Sequence, residues 1–156
     1  MPAILDRRGA PFTMQGFLLQ LADRLRPLRG EHRQLGRVGE RAAERYLRQR
    51  GYRTLGRNLR GRHGELDLLV QDPAGTLVVI EVKASRRGGA VGHRPEARVG
   101  PAKQRQIAAL ATRLARRHRL TQRPWRFDVV GVELPAPGDP TPPTIRHHVA
   151  AFDAGF

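Results

Sequence analysis

GELDLLVQDPAGTLVVIEVK, residues 64–83, is the stretch that decides how this chain folds. Two apolar runs, 65–70 and 76–83, flank Asp72-Pro73-Ala74-Gly75, whose residues favour a turn, and the pattern predicts a β-hairpin. The two-residue period of a strand puts Val79, Glu81 and Lys83 on one face and Val78, Ile80 and Val82 on the other. By the same period Glu65 and Asp67 share a face. A short turn sets Asp67 across from residue 80 or 81, so two carboxylates and a lysine converge at one end of the hairpin. Charges on apolar strands are costly to bury unless they are paired or hold a metal, and that cost marks the place as a site.

Upstream of the hairpin, Leu35, Val38, Ala42, Ala43, Tyr46 and Leu47 follow the spacing of an amphipathic helix, predicted over 32–50 and stopped by Gly51. Gly36 and Gly39 fall on its inward side and would let it approach a sheet closely. Residues 52–58 read as a first strand. Downstream, 84–100 is rich in Gly and Arg and predicts a mobile loop. Pro101 suits the first turn of a helix whose stripe is Ile107, Leu110, Ala111, Leu114 and Ala115, ending near His118. Strands are predicted at 125–134 and, beyond a proline-rich link, at 144–152. The order αβββαββ argues for an α/β domain over 31–156, a central mixed sheet flanked by helices. Residues 1–30 read as an N-terminal extension, an extra helix or a loosely ordered arm.

The chain has 156 residues, enough for one domain with its own core. It carries 29 Lys plus Arg against 14 Asp plus Glu, a formal net charge of +15, and this balance points to an anionic partner such as nucleic acid. A ribosome-associated basic protein has the same charge signature. There is no cysteine, so disulfides and thiolate metal sites are excluded, and any metal sits on oxygen or imidazole ligands. No apolar run is long enough for a membrane span or a secretory signal core, which makes a cytoplasmic protein with no membrane partner the expectation.

Only two of the basic residues are lysines, Lys83 and Lys103. A chain that writes arginine almost everywhere uses lysine where a compact ammonium is wanted. Around Lys83, the carboxylates of Asp67 and Glu81 could be bridged by magnesium or manganese, with the Val82 carbonyl as a further ligand. An ordinary cross-strand salt bridge fits the same spacing. Glu40 lies on the edge of its helix's buried stripe and could reach the pair as an outer ligand or water holder, or pair with an arginine at the rim, whereas Glu44 is expected to face outward. Lys103 and Gln104 fall near the inward line of the second helix at its N-terminus, where a phosphate would be favoured; a lysine stem lying over the core is the plain alternative. His147 and His148 are adjacent on a predicted strand and point to opposite faces, a poor basis for a metal pair.

Taken in order, Leu35-Gly-Arg-Val-Gly-Glu40, Ala43, Tyr46-Leu47, Gly51-Tyr52, Asn58-Leu-Arg60, Gly64-Glu-Leu-Asp-Leu68, Val79-Ile-Glu-Val-Lys83, Lys103-Gln104 and Arg126-Phe-Asp-Val-Val130 resemble the YraN family of endonuclease-like proteins. That family is similar to the restriction-endonuclease-like PD-(D/E)xK nucleases, including Holliday junction resolvases. The resemblance implies a restriction-endonuclease-like fold with Asp67, Glu81 and Lys83 at the nuclease motif positions and Glu40 at the helix glutamate. It implies a Mg2+- or Mn2+-dependent endonuclease acting on DNA more than RNA, on branched or flapped forms by analogy, with a homodimer attractive for cutting two strands. The same fold without catalysis, as a nucleic-acid-binding module, is the alternative. Ala84-Ser85 and Val91 depart from the family's usual wording. Arg57, Arg60, Arg62, Arg86, Arg87, Lys103 and Gln104 are the candidates for backbone phosphate contacts. With one tryptophan, two tyrosines and five phenylalanines, base stacking on single strands finds little support.

Overall fold

The hairpin forms as its alternation and turn residues require. In this computed structural model, which describes residues 31–61, 64–88 and 99–153, β2 (Gly64–Gln71) pairs antiparallel with β3 (Leu77–Arg86), Leu68 facing Ile80 and Gln71 facing Leu77. Asp72 closes the turn: its Oδ1 accepts the Thr76 N–H at 2.8 Å and its carbonyl accepts the Gly75 N–H at 3.0 Å. Gly75 has φ +92, a conformation that side chains resist, so the glycine is needed there. The expected extension over 1–30, Arg62 and most of the expected loop lie outside the described residues.

Three more strands complete one mixed sheet in the order β1-β2-β3-β4-β5. β1 (Arg53–Gly61) pairs antiparallel with β2, and β5 (Thr144–His148) pairs antiparallel with β4 (Trp125–Leu134). β3 and β4 run parallel, from Leu77 beside Trp125 to Arg86 beside Leu134. A parallel pair needs a crossover, supplied here by α2 (Pro101–Arg117), while α1 (Glu31–Arg48) precedes the sheet. The element order is the one predicted.

Each helix covers one face. Ile107, Leu110 and Ala111 of α2 pack with Leu55, Leu59, Leu69, Leu77, Val79, Phe127 and Val129. Ala43 and Leu47 of α1 pack with Leu68, Val70, Val78, Ile80, Val130 and Val132. The alternation read for β3 therefore holds, with Leu77 and Val79 toward α2 and Val78 and Ile80 toward α1.

The differences from expectation have local causes. β3 runs on to Arg86, past the predicted end, because β4 offers it a parallel partner all the way to Leu134. β5 stops at His148, short of the predicted 152, because Ala150 turns the chain at φ +51 and its N–H is taken by the Asp128 carboxylate at 2.9 Å. Of the two inward glycines only Gly39 makes the close approach: a Cβ there would lie 2.4 Å from the Ala84 Cβ, whereas at Gly36 it would meet nothing within 4 Å.

Candidate active site

The site is a fork in the sheet. The β2–β3 register ends at Leu68 and Ile80; one step further Asp67 would face Glu81, and there the strands part. The Val82 N–H, left without a β2 backbone partner, donates to Asp67 Oδ2 at 2.7 Å. In an extended strand the N–H and C=O of one residue share an edge, so the Val82 carbonyl looks into the same fork. Leu66 and Leu69 pack in the same core cluster although they are three apart, which a regular strand does not allow, so β2 is twisted across Asp67. This twist separates Glu65 from Asp67 and corrects the expectation that they share a face. Glu65 turns outward, its side chain 45% exposed, and pairs with Arg60 at 3.2 Å.

Asp67 and Glu81 are both buried, at 9% and 4% exposure. Burial, and next the charge of Glu81, push the Asp67 carboxyl up to about 7; the Val82 N–H works the other way. Lys83 Nζ donates to Glu81 Oε1 at 2.8 Å. Lys103 Nζ, from the first turn of α2, stands 3.4 Å from Glu81 Oε2. That separation is within Coulombic reach, but the alignment of a hydrogen bond is missing, and Oε2 is a buried oxygen with no donor. Glu40 of α1 approaches from the opposite face: its Oε2 accepts from Asn58 Nδ2 at 3.1 Å, and burial raises its pKa. Asn58 occupies the left-handed region at φ +48, opposite Asp67 by extension of the β1–β2 register. Asparagine tolerates that conformation, and so β1, β2 and β3 each bring a polar residue to the fork.

These residues fit a divalent cation. Of two buried carboxylates, one has its carboxyl raised by burial and by the charge of the other, which carries an undonated oxygen, and the Val82 carbonyl adds a hard oxygen donor. Among the described residues no three Asp, Glu or His side chains gather closely enough to hold a metal on their own. The protein ligands open to a cation here would be two carboxylates and a carbonyl, hard oxygen donors of the kind magnesium accepts. Glu40, engaged with Asn58, stands outside it.

A family profile described as "Uncharacterised protein family UPF0102" matches residues 39–132. The chain belongs to the UPF0102 family. It is 46% identical over 125 residues to a UPF0102 protein of Anaeromyxobacter dehalogenans, covering 80% of this chain and 88% of that one. A UPF0102 protein of Trichlorobacter lovleyi is 40% identical over 131 residues, covering 83% of this chain and 99% of the relative. One of Symbiobacterium thermophilum is 49% identical over 101 residues, 65% of this chain and 83% of the relative. The UPF0102 match is the family that the YraN-like motifs pointed to. Its span holds Glu40, Asp67, Glu81, Lys83 and Lys103.

Most of the residues read as phosphate contacts have partners within this UPF0102 chain. Arg57 binds Glu44, its Nε 2.8 Å from Oε2. Glu44 also accepts from Thr54 Oγ1 at 2.7 Å and is only 12% exposed, which corrects its expected outward position: β1 lies against that flank of α1. Arg86 Nη1 donates to the Pro135 carbonyl and Arg87 Nη1 to Thr141 Oγ1, both at 2.8 Å, tying the end of β3 to the β4–β5 link. Gln104 Nε2 donates to the Val99 carbonyl at 2.7 Å. Arg37, Arg41, Arg45 and Arg48, by contrast, lie on an exposed arc of α1, and their side chains make no hydrogen bond or ion pair with the described residues. Charge counting alone did not set them apart; their spacing of four, four and three residues is the signal.

A second buried cluster sits nearer the hairpin turn. Asp128, fully buried, accepts from Arg126 Nε at 2.8 Å, Arg126 Nη2 at 3.0 Å and the Ala150 N–H at 2.9 Å, and its Oδ2 lies 2.8 Å from His147 Nε2. Burial opposes ionisation of Asp128, but the hydrogen bonds from His147, Arg126 and Ala150 outweigh it and hold the carboxyl below its usual range. Arg126 also donates to Asp72 Oδ2 at 2.9 Å and to the Tyr52 hydroxyl at 3.2 Å. Every partner is satisfied within the protein, so this is a structural knot. His147 belongs to it, and His148 is exposed.

Proposed function

We propose that this UPF0102 protein is a metal-dependent nuclease of the restriction-endonuclease-like kind that hydrolyses phosphodiester bonds in DNA. The observation that carries the proposal is the fork itself: Asp67 with its carboxyl raised by burial and by Glu81, Glu81 with an undonated buried oxygen, and Lys83 bonded to the same glutamate. Two carboxylates in this state call for a cation, and an ammonium beside them provides a proton donor.

Asp67 Oδ1, Glu81 Oε2 and the Val82 carbonyl would hold the ion. Magnesium or manganese, when bound, lowers the pKa of water and neutralises charge on the phosphate. Lys83 Nζ, about a third exposed, stays on Glu81 Oε1 and turns its remaining protons toward the attacking water or the phosphate oxygens. Glu40, held by Asn58, keeps a second acidic oxygen near the fork and can order water there. The exposed arginines of α1, whose side chains make no hydrogen bond or ion pair with the described residues, offer a track for backbone phosphates, which positions a duplex without reading its sequence. The shallow supply of aromatics favours shape over base recognition, as does the analogy with junction resolvases.

The test is incubation of wild type and Lys83→Ala with labelled linear, flapped, single-stranded and four-way DNA and matched RNA, with and without magnesium or manganese. Metal-dependent cleavage that disappears in the variant, while binding persists, is the expected result. Salt-sensitive binding without cleavage by either protein would replace the nuclease with a non-catalytic binding module, a reading supported by the fact that both lysines already flank Glu81. Preference for RNA of the same shape would move the partner to RNA.

A further inference from the structure

Both lysines of the chain stand at one carboxylate, and they are not equivalent. Lys83 comes from the same strand as Glu81 and donates a hydrogen bond to Oε1 at 2.8 Å. Lys103 comes from another element and stands 3.4 Å from Oε2 without the alignment of a hydrogen bond. Each side chain is 32% exposed, whereas Glu81 is 4% exposed. A cation held at a buried oxygen by charge alone, with a solvent-facing stem to retreat along, is one that a better cation can replace.

We propose that Lys103 is a place-holder: its ammonium neutralises Glu81 Oε2 while no metal is present, and a divalent ion displaces it. This rests on the reading of Asp67 and Glu81 as metal ligands. The displaced ammonium stays at the N-terminal turn of α2, where the helix dipole and the first amides already favour an anion, and there it binds a phosphate of the substrate. Loading the metal thus converts an internal counter-ion into a substrate contact. Lys103 is a positioning residue for metal and phosphate; Lys83, hydrogen-bonded, keeps its place.

The arrangement has a consequence that a purely structural lysine would not produce: removing Lys103 tightens metal binding. The experiment is a titration of the full chain with Mn2+ alone, followed by electron paramagnetic resonance, on wild type, Lys103→Met, Lys103→Gln and Lys103→Arg, with Asp67→Asn as the control for the site. The two neutral variants are expected to bind Mn2+ about tenfold more tightly, the scale of coupling between partly solvated charges at this range. The arginine variant, which keeps the charge, is expected to stay close to wild type. With Ca2+ as a non-catalytic ion, the neutral variants are expected to bind a DNA duplex several-fold more weakly. Equal or weaker Mn2+ binding in both neutral variants, with wild type binding normally, overturns the place-holder and leaves the metal site standing. Absence of site-specific Mn2+ binding in all four proteins overturns the metal site and the place-holder together. Unchanged DNA affinity in Ca2+ overturns the phosphate half of the proposal.

Discussion

At Asp67 a single buried carboxylate costs the fold stability. In an unfolded chain an aspartate titrates near 4, and in this fold it titrates near 7 because burial and the Glu81 charge oppose ionisation. Between those values the folded state holds more protons than the unfolded one, so this group makes the metal-free protein less stable as pH rises from about 4 to about 7, and the loss is complete above that. Asp67→Asn removes the buried charge and keeps an oxygen for the Val82 N–H. We expect it to raise metal-free stability at pH 8 by about 1–2 kcal/mol, to change it little at pH 5, and to abolish Mn2+ uptake. Urea unfolding at the two pH values decides this; a variant less stable than wild type at pH 8 would show that the carboxylate is satisfied without metal. Asp67, Glu81 and Lys83 were legible in the sequence because charges interrupt apolar strands. The hydrogen bond between Asn58 and Glu40 was not, since it depends on the register of β1 and on a positive φ that neighbouring residues do not announce.

At the scale of elements, the height of α1 above the sheet is set by Gly39 against Ala84. A Cβ at Gly39 would sit 2.4 Å from the Ala84 Cβ, a short group fixed to the strand backbone that cannot swing aside. Gly39→Ala would therefore push α1 outward or bend β3, next to Glu40 on one side and Lys83 on the other. Overpacking of this kind costs roughly 1–3 kcal/mol, offset by up to about 1 kcal/mol from better helix propensity. We expect a net destabilisation of about 1–2 kcal/mol in thermal unfolding, restored in the double variant with Ala84→Gly; additive losses would show that the contact is not the cause. The pairing explains why a small residue suits position 84. Helix and strand identities were readable from period and turn chemistry, yet the ends of β3 and β5 were not. Those ends depend on β4, a partner distant in sequence, and on the hydrogen bond that the Ala150 N–H donates to the Asp128 carboxylate.

For the whole molecule, a sum of charges predicts a partner but not a surface. Of the arginines read as phosphate contacts, Arg57, Arg86 and Arg87 are occupied in holding elements together, while the α1 stripe remains available. Sequence supplies the number of cations, and only the packed fold says which of them are already spent on carboxylates and carbonyls. The same holds for family membership: the ordered motifs identify UPF0102, and the geometry of the fork then says why those motifs belong together. No helix among the described residues is long and apolar enough to cross a membrane.

The knot around Asp128 makes a short edge strand behave as part of the interior. β5 has only five residues, and such a strand ordinarily opens and closes on its own. Here His147 is pinned to a carboxylate that also holds Arg126, and Arg126 in turn holds the hairpin turn and Tyr52. Opening β5 would leave Asp128 short of a partner in the core, so its amide protons are expected to exchange with deuterium only as the whole sheet unfolds. In His147→Ala the same amides are expected to exchange ahead of those of β4 by at least tenfold, the factor that about 1.4 kcal/mol of lost anchoring gives. Early exchange of β5 in wild type would mean that the edge is free to fray and that the knot binds only the strands beneath it.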